Sequence, residues 1–161
     1  MKNQAYIYSL RLLGGQEYSL KKLKTKLIQK EFPEEEIEEA LKLVVEKGYL
    51  DENRYLELKV KSLILKGKAG RVVQHTLAHE GISVSESRIN EICLEKGVDQ
   101  DEQLVELLNK KLRHHQPGAR LDPSDYQKII RFALSRGHSY QKVKKLLGQK
   151  LSESEEIPDN F

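Results

Sequence analysis

Apolar residues in this chain recur at three- and four-residue spacing in short runs, the signature of amphipathic helices. Most runs open on a capping residue and close on glycine. Ser19 precedes Leu20, Leu23, Leu27 and Ile28. Pro33 opens the next helix at its first turn, with Glu34, Glu35 and Glu36 at the positive end of its dipole and Ile37, Ala40, Leu41 and Val44 as its buried stripe. Gly48 supplies its left-handed terminal residue. Asp51 caps a helix carrying Leu56, Val60, Leu63 and Ile64, followed by glycine breaks at Gly67 and Gly70. Val73 and Leu77 mark a short helix that stops at Gly81. Ser83 or Ser85 caps a helix that buries Ile89, Ile92 and Cys93 and ends at Gly97.

The same grammar continues to the end. Asp99 with Glu102 resembles a capping box ahead of Leu104, Leu107, Leu108 and Leu112. Residues 116 to 121 read as a loop with a Pro117-Gly118 turn. Asp122-Pro123 then starts a helix faced by Tyr126, Ile129, Ile130, Ala133 and Leu134, which stops at Gly137. Ser139 caps a last helix with Val143, Leu146 and Leu147. Ala5 to Leu13 fits a strand by alternation and a helix by spacing, with Gly14-Gly15 as its end in either case.

Self-similarity resolves that ambiguity towards helix. Leu23, Leu27 and Phe32 align with Val73, Leu77 and Ile82, and again with Ile129, Ala133 and His138, a period of about 50 residues. Gly48 and Gly97 recur as stops, each leading to an apolar residue and an Asp. The expectation is an all-α protein of three tandem three-helix repeats, about nine helices in all, stacked into an elongated, curved rod. The repeats are placed at 1–50, 51–98 and 99–151, with 152–161 as a disordered acidic tail. A repeat of that size buries too little surface alone, so stacking must stabilise the row. The stretch from Gly48 to Ile82 organises the plan, since it holds a stop, a cap, a long helix, a basic glycine-rich corner and a second helix.

Charge adds a direction. The net charge is only +3, yet residues 58–81 hold five basic residues against one acidic, and residues 107–150 hold eleven against two. Such bands suit a large acidic or nucleic-acid-bearing partner. The candidate contact residues are Lys59, Lys61, Lys66, Lys68 and Arg71 around the corner. Lys128, Arg131 and Arg136 are the candidates in the third repeat. The bland alternative is a solvated helix face. The near absence of acids at the corner and the freedom glycine gives a backbone to approach a partner favour contact.

Catalysis finds little support. His75 and His79 have metal-compatible i, i+4 spacing, but no Glu lies between them and they read as surface histidines. Cys93 sits on an apolar stripe and reads as core; a single cysteine excludes an internal disulfide and fits a reducing compartment. Tyr49 and Tyr55 can stack on bases, with packing the stronger reading. No phosphate-cradling loop, nucleophile elbow or cofactor motif is present, and no apolar run is long enough to span a bilayer. The expectation is a cytoplasmic, monomeric binding protein with no metal and no cofactor.

Several stretches together resemble the RecX family of bacterial regulators of the recombinase RecA. They are Tyr8-x-Leu10-Arg11-Leu12-Leu13 with Tyr18-Ser19; Gly48-Tyr49-Leu50-Asp51 with Arg54-Tyr55; Val60-Lys61-Ser62, Lys66-Gly67 and Arg71-Val72; and Phe132-x-Leu134-Ser135-Arg136-Gly137-x-Ser139. The likeness runs from about Tyr8 to Leu147. Lys59 stands where the family usually has an aromatic residue, and His138 where it usually has Phe. The resemblance implies binding within the groove of RecA filaments on single-stranded DNA; direct DNA contact is a candidate that the basic bands add, not the resemblance. It implies negative modulation of strand exchange, ATPase and co-protease activity, without catalysis. The alternative is a helical-repeat nucleic-acid binder acting alone.

Overall fold

The structure is a computed structural model that describes residues 2–115 and 120–153. The Pro117-Gly118 turn and the acidic tail beyond residue 153 lie outside the described residues. Among those described there are nine helices and no strand: α1 Gln4–Gly15, α2 Leu20–Gln29, α3 Glu34–Glu46, α4 Glu52–Leu65, α5 Gly70–His79, α6 Glu86–Lys96, α7 Gln100–Leu112, α8 Pro123–Ser135 and α9 Tyr140–Glu153. The chain is an all-α helical-repeat protein.

The caps explain where the helices begin. Ser19 accepts from the Lys22 amide, Ser85 from Arg88, and Asp122 from Ser124. Asp51 accepts from both Asn53 and Arg54. Each such cap satisfies a backbone donor that the helix itself leaves open, worth about 1 kcal/mol. Asn3 caps α1 by accepting from Tyr6, so the ambiguous first segment is helical, and the helix runs through Gly14 and Gly15 to Gln16. Pro33 stands one place earlier than expected: with ψ at 141° it is the N-cap, and Glu34 is the first helical residue.

One C-terminal device recurs. Gly67, Gly81, Gly97 and Gly137 all have positive φ, and the residue after each donates back to a carbonyl five positions earlier, as in Ile82 to Leu77 and His138 to Ala133. The first of the aligned α2, α5 and α8 termini carries Glu31 instead, at φ 59°. The backbone requirement therefore recurs where the glycine does not.

The chain divides into two compact units, residues 1–60 with 76–84, and residues 61–75 with 85–161. In the first unit, α1 packs on α2 and α3 around Leu23, Leu27, Ile37, Ala40 and Val44. In the second, α7, α8 and α9 enclose Leu104, Leu108, Ile130, Ala133, Val143 and Leu147. The predicted stripes are buried, or half-buried at Leu107, Leu112, Tyr126 and Leu146, with three exposed departures. Leu20, Ile28 and Leu134 sit at stripe spacing but are exposed, because each lies at the edge of its helix's apolar arc.

Candidate functional site

The candidate cations fall into two settings. Lys59, on the first unit's part of α4, is half-buried and pairs with Glu80 at 3.3 Å. Glu80 also takes Lys22 at 2.9 Å and a hydrogen bond from the Tyr55 hydroxyl, and Lys22 in turn donates to Tyr55 at 3.0 Å. Burial alone would raise the Glu80 carboxyl, but the bonds from Tyr55 and Lys22 and the nearby Lys59 charge outweigh it and lower it. Burial likewise opposes the Lys22 ammonium, which the same partners nevertheless hold above its ordinary value. Tyr55 is raised by its own burial and by Glu80. It is a packed, hydrogen-bonded residue, as the packing reading expected, whereas Tyr49 is exposed. The acid between residues 58 and 81 thus answers Lys59 directly.

The second unit is different. Its corner, residues 66 to 70, is tied to the turn between α8 and α9. The Ala69 amide donates to the Arg136 carbonyl at 2.9 Å. The Arg136 guanidinium donates to the Lys66 carbonyl at 3.1 Å, and the His138 Nε2 lies 2.7 Å from the Gly67 carbonyl. Gly137 permits the approach. A Cβ there would meet the Val72 side chain at 2.4 Å, and its φ of +88° is one that side-chain-bearing residues rarely adopt. Candidate cations distant in sequence, Lys66, Lys68 and Arg71 on one side and Arg136 on the other, therefore share one neighbourhood. None of Lys61, Lys66, Lys68 and Arg71 forms an ion pair among the described residues.

The corner glycines serve the interior and not a partner, which corrects the sequence argument. Gly67 and Gly70 are both buried. The site of a Cβ on Gly67 lies 3.2 Å from Leu107, and the Gly70 amide is taken by the Gln100 side chain at 2.9 Å. The glycines are needed because protein, not ligand, crowds them. His138 is buried, and that burial lowers its imidazole, with the Gly67 bond opposing and the Lys142 and Arg136 charges assisting. The imidazole is therefore neutral near pH 7 and donates Nε2–H to the carbonyl.

Along α8, Lys128 is exposed and pairs with Asp125 at 3.1 Å, and Arg131 is exposed without an ion pair among the described residues. Arg136 stacks 4.7 Å from the Phe132 centroid, and Lys111 stands 4.0 Å from the same ring. Sequence reasoning counted Lys111 among the cations of the third repeat, but passed over Phe132 as a contact residue and did not bring the two together. The i, i+4 spacing of Phe132 and Arg136 was the available signal, but Lys111 arrives from α7 and needs the fold to be seen.

Among the described residues, no three His, Cys, Asp or Glu side chains gather in a way that could hold a metal, and no helix is long and apolar enough to cross a membrane. Cys93 is buried in α6, as its place on the apolar stripe predicted, and burial pushes its thiol up, away from the reactive thiolate.

Comparison with known proteins bears on this arrangement. Models of the first and third three-helix domains of RecX match residues 5–42 and 99–147. A regulatory protein RecX of Haemophilus influenzae (strain PittEE) is 34% identical over 154 residues, spanning 95% of this chain and 99% of its own. A regulatory protein RecX of Trichlorobacter lovleyi is 29% identical over 147 residues, covering 89% of this chain and 94% of its own. The crystal structure of RecX from Lactobacillus salivarius has a TM-score of 0.68 at 21% identity, covering 93% of this chain and 96% of that one, a likeness of fold. By sequence over nearly its whole length, the chain belongs to the RecX family of regulatory proteins.

Proposed function

We propose that this protein docks on filaments of the recombinase RecA on single-stranded DNA and restrains their strand exchange, ATP hydrolysis and co-protease activity, catalysing nothing itself. The family supports a regulatory role. The observation that carries the site is the joining of the corner at 66–70 to the turn at 136–138, which gathers Lys66, Lys68, Arg71 and Arg136 with no acid paired to the first three. Unpaired cations on a backbone held from within are suited to phosphates, because binding need not first break an internal ion pair. Lys61, Lys128 and Arg131 extend the contact surface in this reading.

The recurrence of the left-handed residue at Glu31, Gly81 and Gly137 supports repeats at 1–50, 51–98 and 99–151. The protein acts as a cytoplasmic monomer in this account.

The test is RecA ATPase on single-stranded DNA. Wild-type protein lowers the rate, and a Lys61→Ala, Lys66→Ala, Arg71→Ala triple variant of unchanged helicity does not. An unaltered RecA rate with wild type sinks the proposal. Tight, salt-sensitive DNA binding that RecA leaves unchanged would instead select the stand-alone nucleic-acid binder, which the same unpaired cations also suit.

A further inference from the structure

We infer that the hollow between α7 and α8 receives one unstacked base of a single strand whose backbone lies on the basic corner; this rests on the nucleic-acid part of the reading above. Asp125, Lys128, Ile129 and Phe132 line it from one face of α8, at i, i+3, i+4 and i+7, Lys111 from the last turn of α7, and His115 from the chain just after that helix. Its volume is about 270 Å³. That lies just below the roughly 300–1,000 Å³ of pockets for larger ligands, so it suits a single nucleoside and not a longer segment.

The walls are of two chemistries. Phe132 and the buried Ile129 supply an apolar surface for a flat ring. Lys111 and Lys128 supply charge at the same opening. A phosphate alone would need only the lysines. An aromatic ring beside cations is the pairing used by single-strand binders, in which bases stack and the backbone is neutralised.

The hollow is linked to the corner through one residue. Arg136 follows Phe132 by one helical turn, touches its ring, and donates to the Lys66 carbonyl. A strand whose phosphates meet Lys66 and Arg136 is thereby delivered to Phe132. In the free protein the Lys111 ammonium covers that ring at 4.0 Å and Lys128 is held by Asp125. A base replaces the Lys111 ammonium on the ring, and the ammonium turns to the adjoining phosphate. Exposed cation–π contacts are weak, so stacking a base in place of one is favourable.

The test uses the full chain and three DNAs of one length: single-stranded oligo(dT), the same backbone with abasic sites throughout its centre, and a duplex. Wild type is expected to bind the intact single strand at least about fivefold tighter than the abasic one, the low end of one stacked base. Phe132→Leu, which keeps an apolar side chain, abolishes that ratio. Lys66→Ala weakens both single strands by the same factor. Equal wild-type affinity for intact and abasic strands overturns the base site, whatever happens to Phe132→Leu. If Lys66→Ala still weakens both in that case, the nucleic-acid reading survives and only the hollow's role falls. Equal binding of duplex and single strand overturns the inference too, and binding to none of the three overturns both.

Discussion

Lys22 and Lys59 in the first unit, and Lys66, Lys68 and Arg71 in the second, belong to the same kind of sequence: basic residues on helices and on the turns that end them. The structure gives them opposite settings. In the first unit one carboxylate, Glu80, takes both lysines and the Tyr55 hydroxyl, and the cluster is spent on holding helices together. In the second, the corner is held by backbone carbonyls and amides, and its cations have no acid among the described residues. Local charge density therefore does not identify a binding surface. The structural difference is whether the scaffold fixes the backbone without consuming the charges.

The largest expected effect strikes the second unit. Gly137→Ala places a methyl group against Val72 and forces an unfavourable φ. Left-handed strain of about 1–2 kcal/mol adds to an overpacking cost of about 1–3 kcal/mol. Urea unfolding should show a loss of about 3 kcal/mol. A loss below about 1 kcal/mol would mean the two backbones do not press together as described.

Next comes the first unit. Glu80→Gln keeps the shape but leaves Lys22 and Lys59 without their counter-charge, at a cost of about 2 kcal/mol at pH 7 by thermal or urea unfolding. The pH dependence carries the sign. Glu80 has a lowered folded value, so its contribution is complete above the ordinary 4.5 and is lost as pH falls through the folded value. Wild type should lose stability over that acid limb more steeply than Glu80→Gln, and parallel limbs would refute the network. His138 is also lowered, from 6.5, so the second unit loses stability earlier, as pH falls below 6.5 and the unfolded imidazole charges first. His138→Phe should flatten the profile between 6.5 and the folded value without altering the Glu80 limb.

The smallest effect tests the repeat. Glu31 occupies a left-handed position that its counterparts fill with glycine. Glu31→Gly should stabilise by about 0.5–1 kcal/mol, since relief of strain exceeds the entropy glycine adds to the unfolded chain. Destabilisation would mean the Glu31 side chain has a role that its backbone does not reveal.

Most of the helical plan was legible because caps and stops are local chemistry. Asp51, Ser19 and Gly97 act on their own neighbours, and their sequence context suffices. Pro33 fell one residue off because an N-cap and a first-turn proline look alike without ψ. Glu31 escaped because a strained residue leaves no compositional trace. The candidate site was legible as a set of charges and not as their partners. Lys59 and Glu80 are 21 positions apart, and Arg136 and Lys66 are 70 apart, so nothing in the intervening pattern says that one pair neutralises a charge while the other positions one. Gly67 and Gly70 were read outward for the same reason: a glycine in sequence does not say which side is crowded.

The most direct measurement is the salt dependence of single-stranded DNA binding for Lys59→Ala set against Lys66→Ala and Arg71→Ala. Each lost phosphate contact should reduce the slope of log affinity against log salt by about 0.7. That reduction is expected for Lys66→Ala and for Arg71→Ala, with stability within about 0.5 kcal/mol of wild type. Lys59→Ala, which gives up its bond to Glu80, should show an unchanged slope and a lower stability. A flattened slope for Lys59→Ala with none for Lys66→Ala and Arg71→Ala would contradict this expectation.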